Sequence, residues 1–376
     1  MSRFYILTDS YCPNSAATNR LLSFIRGFSE LGISLKLIFL LPDGNCSRVK
    51  ESFPNVEINY LWSNQLSKNK LMMHSYKHLQ YGKFFFSLKK GDTVLVLGMS
   101  AYIPVLTKRK GVRVFHERTE HPDVVRSTRY GFQKKAYLKS LKDCAGLFVI
   151  SNPLKQYFEN CCGVDEKRIC IINMVVDSTR FEAIKKDESV EPYIAYCGNA
   201  SNTKDGVDIL IKAFKKFHDQ VGNVKLYIIG NAPRKESDNS QLVKDLELES
   251  SIVFTGIIPS GDMPQLLTNA MMLVLARPQS LQNTCGFPTK LGEYLLTGNP
   301  VVITRVGDIP LFLKDKESAL VSECGDIQAF ADNLLWVISH PEESILIGSN
   351  GKKIAMESFN YKRETLKMAN FMFGER

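Results

Sequence analysis

Residues 285–304 read CGFPTKLGEYLLTGNPVVIT, a stretch in which a turn leads into a helix and then into a strand. Gly286 permits close approach of the backbone, and Pro288 suits the first position of a helix. The apolar run Val301–Thr304 has the length and composition of a buried strand. This order of a turn, a helix and a strand is the one found in parallel α/β sheets.

The same alternation extends through the chain in two series. Helical periodicity marks Ala17–Glu30 in the first series, and Asp208–His218 and Met263–Ala270 in the second. The runs that predict buried strands are Phe4–Leu7, Leu35–Leu41, Thr93–Leu97, Val112–Phe115, Gly146–Ile150, Tyr193–Cys197, Lys225–Ile229, Ile252–Phe254, Met272–Leu275 and Val301–Thr304. We therefore predict an α/β fold with two Rossmann-like lobes that face each other across a cleft.

The predicted boundaries follow from composition. The polar stretch Arg180–Glu191 is the best candidate for a linker, and the segment Asn350–Phe373 has a helical pattern. We therefore divide the chain into a first Rossmann-like domain, residues 1–183, a second one, residues 184–352, and a C-terminal helix, residues 353–376, that packs back on the first domain.

Overall composition excludes several classes of protein. The chain has 376 residues, 44% of them hydrophobic and 23% charged, which is ordinary for two or three globular domains and excludes disordered, collagen-like and membrane-spanning chains. Its first residues lack the pattern of a signal peptide, so we expect a cytoplasmic protein. The nine cysteines are odd in number and irregularly spaced, which favours reduced thiols over a disulfide framework.

Positive charge is concentrated in the first half. Residues 1–183 contain 27 Lys and Arg against 15 Asp and Glu, whereas the remainder of the chain is slightly acidic. The densest parts are 108–113 and 126–142, and in the second of these the basic residues alternate with aromatic and leucine side chains. A basic half of this kind is typical of a protein that faces an anionic surface or binds an anionic substrate. A solvated helix face explains the basic runs equally well.

Two turns of the second series suit phosphate. Thr289, Lys290 and Leu291 are expected to present free N–H groups at a helix N-terminus, which is an arrangement that binds anions. The turn after Tyr193–Cys197 is rich in small residues and carries Lys204 near its end. The alternative for the first turn is an ordinary helix start that binds no ligand. The alternative for the second is a surface loop in which the lysine is incidental.

A third turn, Phe115–Pro122, concentrates titratable groups after a strand of the first series. This pattern is typical of functional sites and fits a surface salt-bridge cluster equally well. The spacing of His116 and His121 matches no metal motif, and the hydrolase elbow, the Walker loop and the dinucleotide fingerprint are absent from the sequence.

Taken together, these turns resemble those of the family 4 retaining glycosyltransferases, enzymes of the two-lobed GT-B fold, and in particular bacterial enzymes that build cell-surface polysaccharides. The segments that carry the resemblance are Pro13–Arg20, Phe115-His116, Asn173–Asp177, Gly198–Val207 and Gly286–Val302. The resemblance extends over nearly the whole chain, and its last block is the most specific.

The resemblance implies a role for each matching residue. Glu293, the second glutamate of the family's E-x7-E motif, would hold the ribose of a nucleotide-sugar donor, Lys204 would contact the diphosphate, and His116 would lie beside the reacting sugar. The donor-binding residues implied are Gly198, Asn199, Ile257, Cys285, Gly286, Phe287, Pro288, Thr289, Lys290 and Leu291. The residues assigned to the acceptor side are Asn14, Ser15, Glu117 and Glu120.

Three positions depart from the family pattern. Cys285 replaces the first glutamate of E-x7-E, and Asn199 replaces the usual arginine of the phosphate turn, for which Arg277 and Lys290 are candidate replacements. The glycine-rich turn after the first strand is replaced by residues 14–17, which have small side chains.

The resemblance implies retaining transfer of a hexosyl-type sugar to a glycan or lipid-linked glycan, with no metal or other cofactor and no nucleic acid. The alternatives are a catalytically weak nucleotide-sugar-binding or scaffold protein, which the changes at Cys285 and Asn199 favour, and a sugar-nucleotide epimerase of the same fold. The basic first half suggests, as a hypothesis, peripheral contact with the inner face of an anionic membrane.

Overall fold

The structure is a computed structural model that describes residues 2–8, 15–40, 53, 56–60, 70–98, 100–125, 131–231 and 239–375. It divides into two compact units. Unit 1 comprises Met1–Asn173 and Tyr361–Arg376, and unit 2 is the continuous segment Met174–Asn360.

Unit 1 contains a seven-stranded sheet with the strand order β3-β2-β1-β4-β5-β6-β7, in which all neighbours are parallel. The strands are β1 (Phe4–Thr8), β2 (Lys36–Phe39), β3 (Glu57–Tyr60), β4 (Thr93–Leu97), β5 (Arg113–Arg118), β6 (Gly146–Val149) and β7 (Ile169–Ile171). The helices are α1 (Ala16–Glu30), α2 (Lys70–Ser87), α3 (Ile103–Leu106), α4 (Gly131–Ser140), α5 (Asn152–Asn160) and, at the end of the chain, α14 (Tyr361–Phe373).

Unit 2 contains a six-stranded sheet with the strand order β10-β9-β8-β11-β12-β13, again with all neighbours parallel. The strands are β8 (Tyr193–Cys197), β9 (Lys225–Ile229), β10 (Ile252–Gly256), β11 (Met272–Leu275), β12 (Val301–Thr304) and β13 (Leu320–Ser322). The helices are α6 (Asn202–Asp205), α7 (Val207–Val221), α8 (Ser240–Asp245), α9 (Met263–Asn269), α10 (Leu281–Cys285), α11 (Lys290–Thr297), α12 (Ile327–Ser339) and α13 (Pro341–Ser358).

The predicted α/β fold class is confirmed, since both units are doubly wound parallel sheets of the Rossmann type. The predicted strands lie within a few residues of their observed bounds. The strands that the sequence did not predict are β3, β7 and β13, which are edge strands of only three or four residues and are too short for a clear strand pattern.

The C-terminal helix α14 packs within unit 1. A Cβ on Gly27 of α1 would lie 2.4 Å from Thr365 Oγ1, so the absence of a side chain at Gly27 allows the two helices to approach closely. The Phe371 ring lies 5.4 Å from that of Phe148, and Arg113 donates to the carbonyl of Met372 at 2.5 Å. The helix thereby covers one side of the first sheet.

The observed bounds of the units differ from our division at residues 183/184 and 352/353. Residues 174–183 lie in unit 2, where Val176 N–H donates to the carbonyl of Phe359 at 2.9 Å. The predicted single helix Asn350–Phe373 is two helices, because Phe359 ends α13 by packing against Phe287 and Phe312 inside unit 2. No helix in the described part of the chain is long and apolar enough to span a membrane.

Candidate functional site

In doubly wound sheets, ligands bind beyond the carboxyl ends of the strands, at the point where the strand order reverses. In unit 2 that point lies between β8 and β11. The chain runs outward from β8 to β10 on one side of β8 and then returns to add β11, β12 and β13 on its other side. The turn 198–206 follows β8, and Arg277 follows β11. The topology therefore brings these two segments together at one edge of the sheet.

Glycine is required where the backbones meet. A Cβ on Gly230, which follows β9, would lie 2.1 Å from the carbonyl oxygen of Gly198. A Cβ on Gly198 would lie 2.1 Å from the Nζ atom of Lys290. The turn after β8 is thus packed against its neighbour on one side and against a lysine ammonium on the other.

A buried charge cluster lies beneath this turn. Asp205 Oδ2 accepts hydrogen bonds from Lys290 Nζ at 2.8 Å and from Tyr196 Oη at 2.7 Å, and Arg277 Nε lies 3.7 Å from Asp205 Oδ1. The Lys290 ammonium also lies 4.6 Å from the centre of the Tyr196 ring. The cluster holds two cations and one anion, so it keeps a net positive charge beside Gly198.

The pKa values reflect this pairing. Burial alone would raise the pKa of Asp205, but Lys290, Tyr196 and Arg277 together hold it below its ordinary value. Burial lowers the pKa of Lys290, and Asp205 opposes that effect. Burial and the Asp205 carboxylate raise the pKa of Tyr196 well above its ordinary value, which keeps its hydroxyl a donor.

The loop that carries Lys204 is held by side chains from the next connection. The carbonyl of Lys204 accepts from Asn283 Nδ2 at 2.9 Å and from Arg277 Nε at 3.3 Å, while Ser201 caps the short helix α6. The carbonyl oxygen of Asn199 lies 2.6 Å from Tyr196 Oη and shares the single hydrogen of that hydroxyl with Asp205, while the side-chain oxygen of Asn199 accepts from Asn231. The turn therefore has a defined shape before any ligand is present.

The N-terminus of α11 carries the predicted phosphate donors. Its cap residue Thr289 makes no side-chain capping hydrogen bond. The N–H of Leu291 donates to the carbonyl of Pro288 at 3.1 Å, so the prediction that Leu291 is free to bind phosphate is wrong. The N–H groups of Thr289 and Lys290 keep the positions expected of anion donors.

Glu293 lies one turn further along α11 and forms an ion pair that the sequence did not predict. Its Oε1 accepts from Nη1 of Arg180, whose Nη2 donates to the carbonyl of Ser260 at 2.8 Å. We had assigned Arg180 to a linker because its sequence neighbours are polar. The signal that could have identified it is the neighbouring aromatic residue Phe181, which is buried and anchors the segment in unit 2.

The remaining predicted donor residues differ in exposure. Cys285 and Phe287 are buried, and Phe287 packs against Phe312 and Phe359 instead of presenting its ring to a ligand. Burial, with a contribution from Asp308, raises the pKa of the Cys285 thiol. Gly286 and Pro288 are buried too, whereas 69% of the Ile257 side chain is exposed after β10.

In unit 1 the structure corrects the placement of His116. Strand β5 continues to Arg118, so His116 lies inside the strand and is fully buried. Its Nδ1 lies 3.1 Å from the carbonyl of Val96 and its Nε2 lies 3.0 Å from Tyr137 Oη. Because a carbonyl only accepts, Nδ1 carries the proton and Nε2 accepts from the tyrosine. Both ring nitrogens are engaged, so the predicted contact with a sugar is not available to this imidazole.

Among the acceptor-side residues, the side chains of Glu117 and Ser15 are engaged in structural roles. Glu117 accepts from Arg20 Nε at 2.8 Å in a buried ion pair, which contradicts its assignment to an acceptor surface. Ser15 caps α1 by accepting from the N–H of Thr18, and the carbonyl of Glu120 accepts from Arg118. Asn14 lies outside the described residues. Within the described ranges no cluster of three or more His, Cys, Asp or Glu is arranged to hold a metal ion.

Residues 191–340 match the model of a protein family described as Glycosyl transferases group 1. The chain is 25% identical over 187 residues to the GDP-mannose-dependent alpha-(1-6)-phosphatidylinositol monomannoside mannosyltransferase of Mycolicibacterium smegmatis, which covers 49% of this chain and 48% of that protein. It is 26% identical over 174 residues to the putative colanic acid biosynthesis glycosyltransferase WcaL of Escherichia coli, with 46% and 42% covered. The chain spans about half the length of these curated relatives.

Solved structures match over nearly the full length. Anabaena HepE in complex with UDP-glucose superposes with a TM-score of 0.77 at 16% identity, covering 99% of both chains. TarM superposes with a TM-score of 0.78 at 13% identity, again covering 99% of both chains. The fold is that of the GT-B glycosyltransferases, and its second unit carries the region matched by the group 1 model.

The buried imidazole of His116 predicts a specific pH dependence of stability. Burial, together with the positive charge of Arg118, lowers the pKa of His116 from 6.5 to about 3, against the opposing effect of its hydrogen bond to Val96. Unfolding therefore takes up a proton below pH 6.5, so the stability from this group is complete above that pH and is lost as the pH falls toward 3.

We expect His116 to lower the free energy of unfolding by about 2 kcal/mol between pH 8 and pH 5. Urea unfolding at both pH values measures this difference. The variant His116→Gln keeps a donor and an acceptor but has no proton to take up, so its pH difference should be smaller by that amount. An equal difference in both proteins would contradict the neutral, buried imidazole.

The charge cluster predicts a marked asymmetry between single and double substitutions. Lys290→Met leaves Asp205 buried without its closest cation, and we expect the free energy of unfolding to fall by about 2–3 kcal/mol. Adding Asp205→Asn removes the stranded charge and should restore at least half of the loss. Lys314→Met, at an exposed pair with Glu317, is the matched control and should change stability by less than about 0.5 kcal/mol. A double variant less stable than Lys290→Met would contradict the pairing.

Proposed function

We propose that the protein is a glycosyltransferase that moves a sugar from a nucleotide-sugar donor to a glycan or lipid-linked glycan in cell-surface polysaccharide synthesis. The observation that carries the proposal is the positive cluster of Lys290, Arg277 and Asp205 at the strand-order reversal of a unit matched by the group 1 model. The bound UDP-glucose in the HepE structure and the polysaccharide role in the WcaL name support the same class of donor and product.

The diphosphate of the donor would lie at the turn after β8. Lys204 contributes a positive charge from the end of α6, and the N–H groups of Thr289 and Lys290 contribute donors from α11. Lys290 Nζ, which lies directly behind Gly198, supplies the charge that the missing arginine at Asn199 would otherwise provide. These groups stabilise the negative charge that develops on the leaving nucleoside diphosphate.

The ribose would be held by Glu293. Arg180 engages Oε1, and Oε2 has no hydrogen-bond partner among the residues that the structure describes. A carboxylate oxygen in this state accepts a hydroxyl hydrogen without breaking an existing bond. The exposed Ile257, which follows β10, belongs to the backbone segment assigned to the base.

We propose family 4 chemistry, with retention of configuration and without a metal. In the transfer the bond between the anomeric carbon and the diphosphate oxygen breaks, and a bond to the acceptor oxygen forms. The hydroxyl proton of the acceptor leaves with the nucleoside diphosphate. His116 is a buried structural group in this scheme and supports β5 from within the sheet.

A second candidate is a nucleotide-sugar-binding or scaffold protein without turnover. The observation that favours it is the buried thiol of Cys285, which occupies the place of a carboxylate that family members use for the donor sugar. This reading predicts binding of a donor without its hydrolysis or transfer, so a turnover assay separates the two candidates.

The surface of unit 1 supports contact with an anionic membrane. Met72, Leu79 and Phe86 on α2 are 52, 56 and 75% exposed and recur every seven residues, which places them along one side of the helix. Residues 70–90 contain five lysines and no acidic residue. Arg109 bonds to the carbonyl of Leu88 at 2.9 Å, which brings the basic turn 108–110 against the end of α2. Residues 126–130 of the second basic run lie outside the described part of the chain.

Removal of the Lys204 charge tests the transferase. Hydrolysis of UDP-, GDP- and ADP-sugars by the purified chain identifies the donor, and NMR of the product reports its anomeric configuration. Lys204→Ala should lower turnover by on the order of 100- to 1000-fold. Lys212→Ala, at a surface lysine of α7 paired with Asp208, is the control and should retain wild-type turnover. A Lys204→Ala variant within about threefold of wild type would overturn the assignment.

The proposed membrane-binding surface of unit 1 is tested by co-sedimentation with two kinds of vesicle, one that contains phosphatidylglycerol and one of phosphatidylcholine alone. We expect binding to the anionic vesicles alone, and Lys83→Ser with Lys90→Ser should weaken it about 30-fold, since each basic residue contributes about 1 kcal/mol. The control Lys352→Ser with Lys353→Ser removes two exposed lysines of unit 2. Equal binding to both vesicles, or equal effects of the two pairs, would refute this surface.

A further inference from the structure

The position of Arg180 follows from a close packing of two backbone segments. A Cβ on Gly292 of α11 would lie 2.5 Å from Met174 Cε and 3.1 Å from Val176 Cβ. The absence of a side chain at Gly292 lets the segment 174–181 lie directly against the helix at this point. The next residue of the helix is Glu293, so Arg180 reaches it from the adjoining segment.

The backbone around Arg180 is fixed on both sides. Asp177 caps the turn 178–180 by accepting from the N–H and the hydroxyl of Thr179 at 3.1 and 2.6 Å. Phe181 follows with only 6% of its surface exposed. A guanidinium on such a segment loses less conformational freedom when it forms its two hydrogen bonds.

Those two bonds join different parts of unit 2. Nη1 donates to Glu293 on α11, and Nη2 donates to the carbonyl of Ser260 in the loop after β10. The ion pair is only partly exposed, with 27% of the Arg180 side chain and 18% of the Glu293 side chain accessible. Because Nη2 is held at Ser260, the planar guanidinium keeps Nη1 in a fixed position at Oε1 of Glu293 and leaves Oε2 for another donor.

We propose that Arg180 is a positioning residue that orients the Glu293 carboxylate for the hydroxyls of a ribonucleotide, so that it sets the preference for ribose over deoxyribose. The inference rests on the proposed function, since it assigns the free Oε2 of Glu293 to the ribose. Arg180 acts through Glu293, so its loss affects only the part of the nucleotide that bears the hydroxyls. The contact with Ser260 gives the guanidinium a second anchor. Because the guanidinium is held in place, the Glu293 side chain is restricted to the rotamer that keeps its bond to Arg180.

The test is calorimetric titration of the full chain with UDP, GDP and ADP, followed by the 2′-deoxy and 3′-deoxy forms of the tightest one. Because a hydrogen bond to a charged group is strong, wild type should bind the ribose form about tenfold or more tightly than at least one deoxy form. Glu293→Ala should abolish that ratio. Arg180→Ala should reduce it to within about threefold of unity while it leaves affinity for that deoxy form nearly unchanged.

Three further variants sharpen the result. Arg180→Lys keeps one donor for the carboxylate and should restore part of the ratio, and it also serves if Arg180→Ala fails to fold. The double variant Arg180→Ala with Glu293→Ala should lose no more than Glu293→Ala does, because both act on one contact. Arg305→Ala removes an arginine from an exposed pair with Glu323 and should keep the wild-type ratio.

The outcomes separate the inference from the proposed function. An unchanged ratio in Arg180→Ala, with the ratio lost in Glu293→Ala, overturns the role of Arg180 and leaves the donor site intact. An equal loss of affinity for ribose and deoxy forms overturns it as well, because that is the result of a general structural defect or a direct contact. Failure of every nucleotide to bind wild type overturns both the inference and the proposed function.

Discussion

The ion pair between Asp205 and Lys290 is the constraint on which the second unit's site depends. The carboxylate ends the short helix after β8, and the ammonium begins α11, two segments that are 85 residues apart in the chain. Neither charge is well solvated, so each requires the other, and Tyr196 and Arg277 complete the set of partners. Gly198 leaves room for the ammonium, and the carbonyl of Lys204 is fixed from the same side. The shape of the turn after β8 and the position of the start of α11 therefore depend on each other.

The alternation of strands and helices could be predicted from the sequence because buried parallel strands are continuous apolar runs. The turn after β8 could be located because it directly follows the apolar run of that strand. The start of α11 could be located because the helix leads into the apolar run of β12. The end of β5 could not. Its apolar run stops at Phe115, yet the ladder continues through His116 and Glu117. Their partners are Tyr137 and Arg20, and Arg20 lies 97 residues from Glu117, so no local pattern reveals that these polar side chains are satisfied inside the protein.

The same limit applies to the ring of Phe287 and to Arg180. A phenylalanine beside a glycine-proline turn has the same sequence neighbours whether it faces a ligand or packs with Phe312 and Phe359. An arginine in a polar stretch looks like part of a linker until the helix that it contacts is known, 113 residues away. Sequence reasoning locates the turns that follow the buried strands, whereas the partner of each charged side chain depends on packing between distant segments.

The continuity of unit 2 has a consequence for synthesis. Its residues, 174–360, leave the ribosome as one uninterrupted piece, whereas unit 1 is made in two parts and needs residues from 361 onward for its completion. Until α14 emerges, the site that receives Phe371 beside Phe115 and Phe148 stays open, and the close approach at Gly27 is unfilled. The half of the protein that is made first is therefore the half that finishes folding last. During the interval its uncovered aromatic surface is the part of unit 1 that is most prone to aggregation.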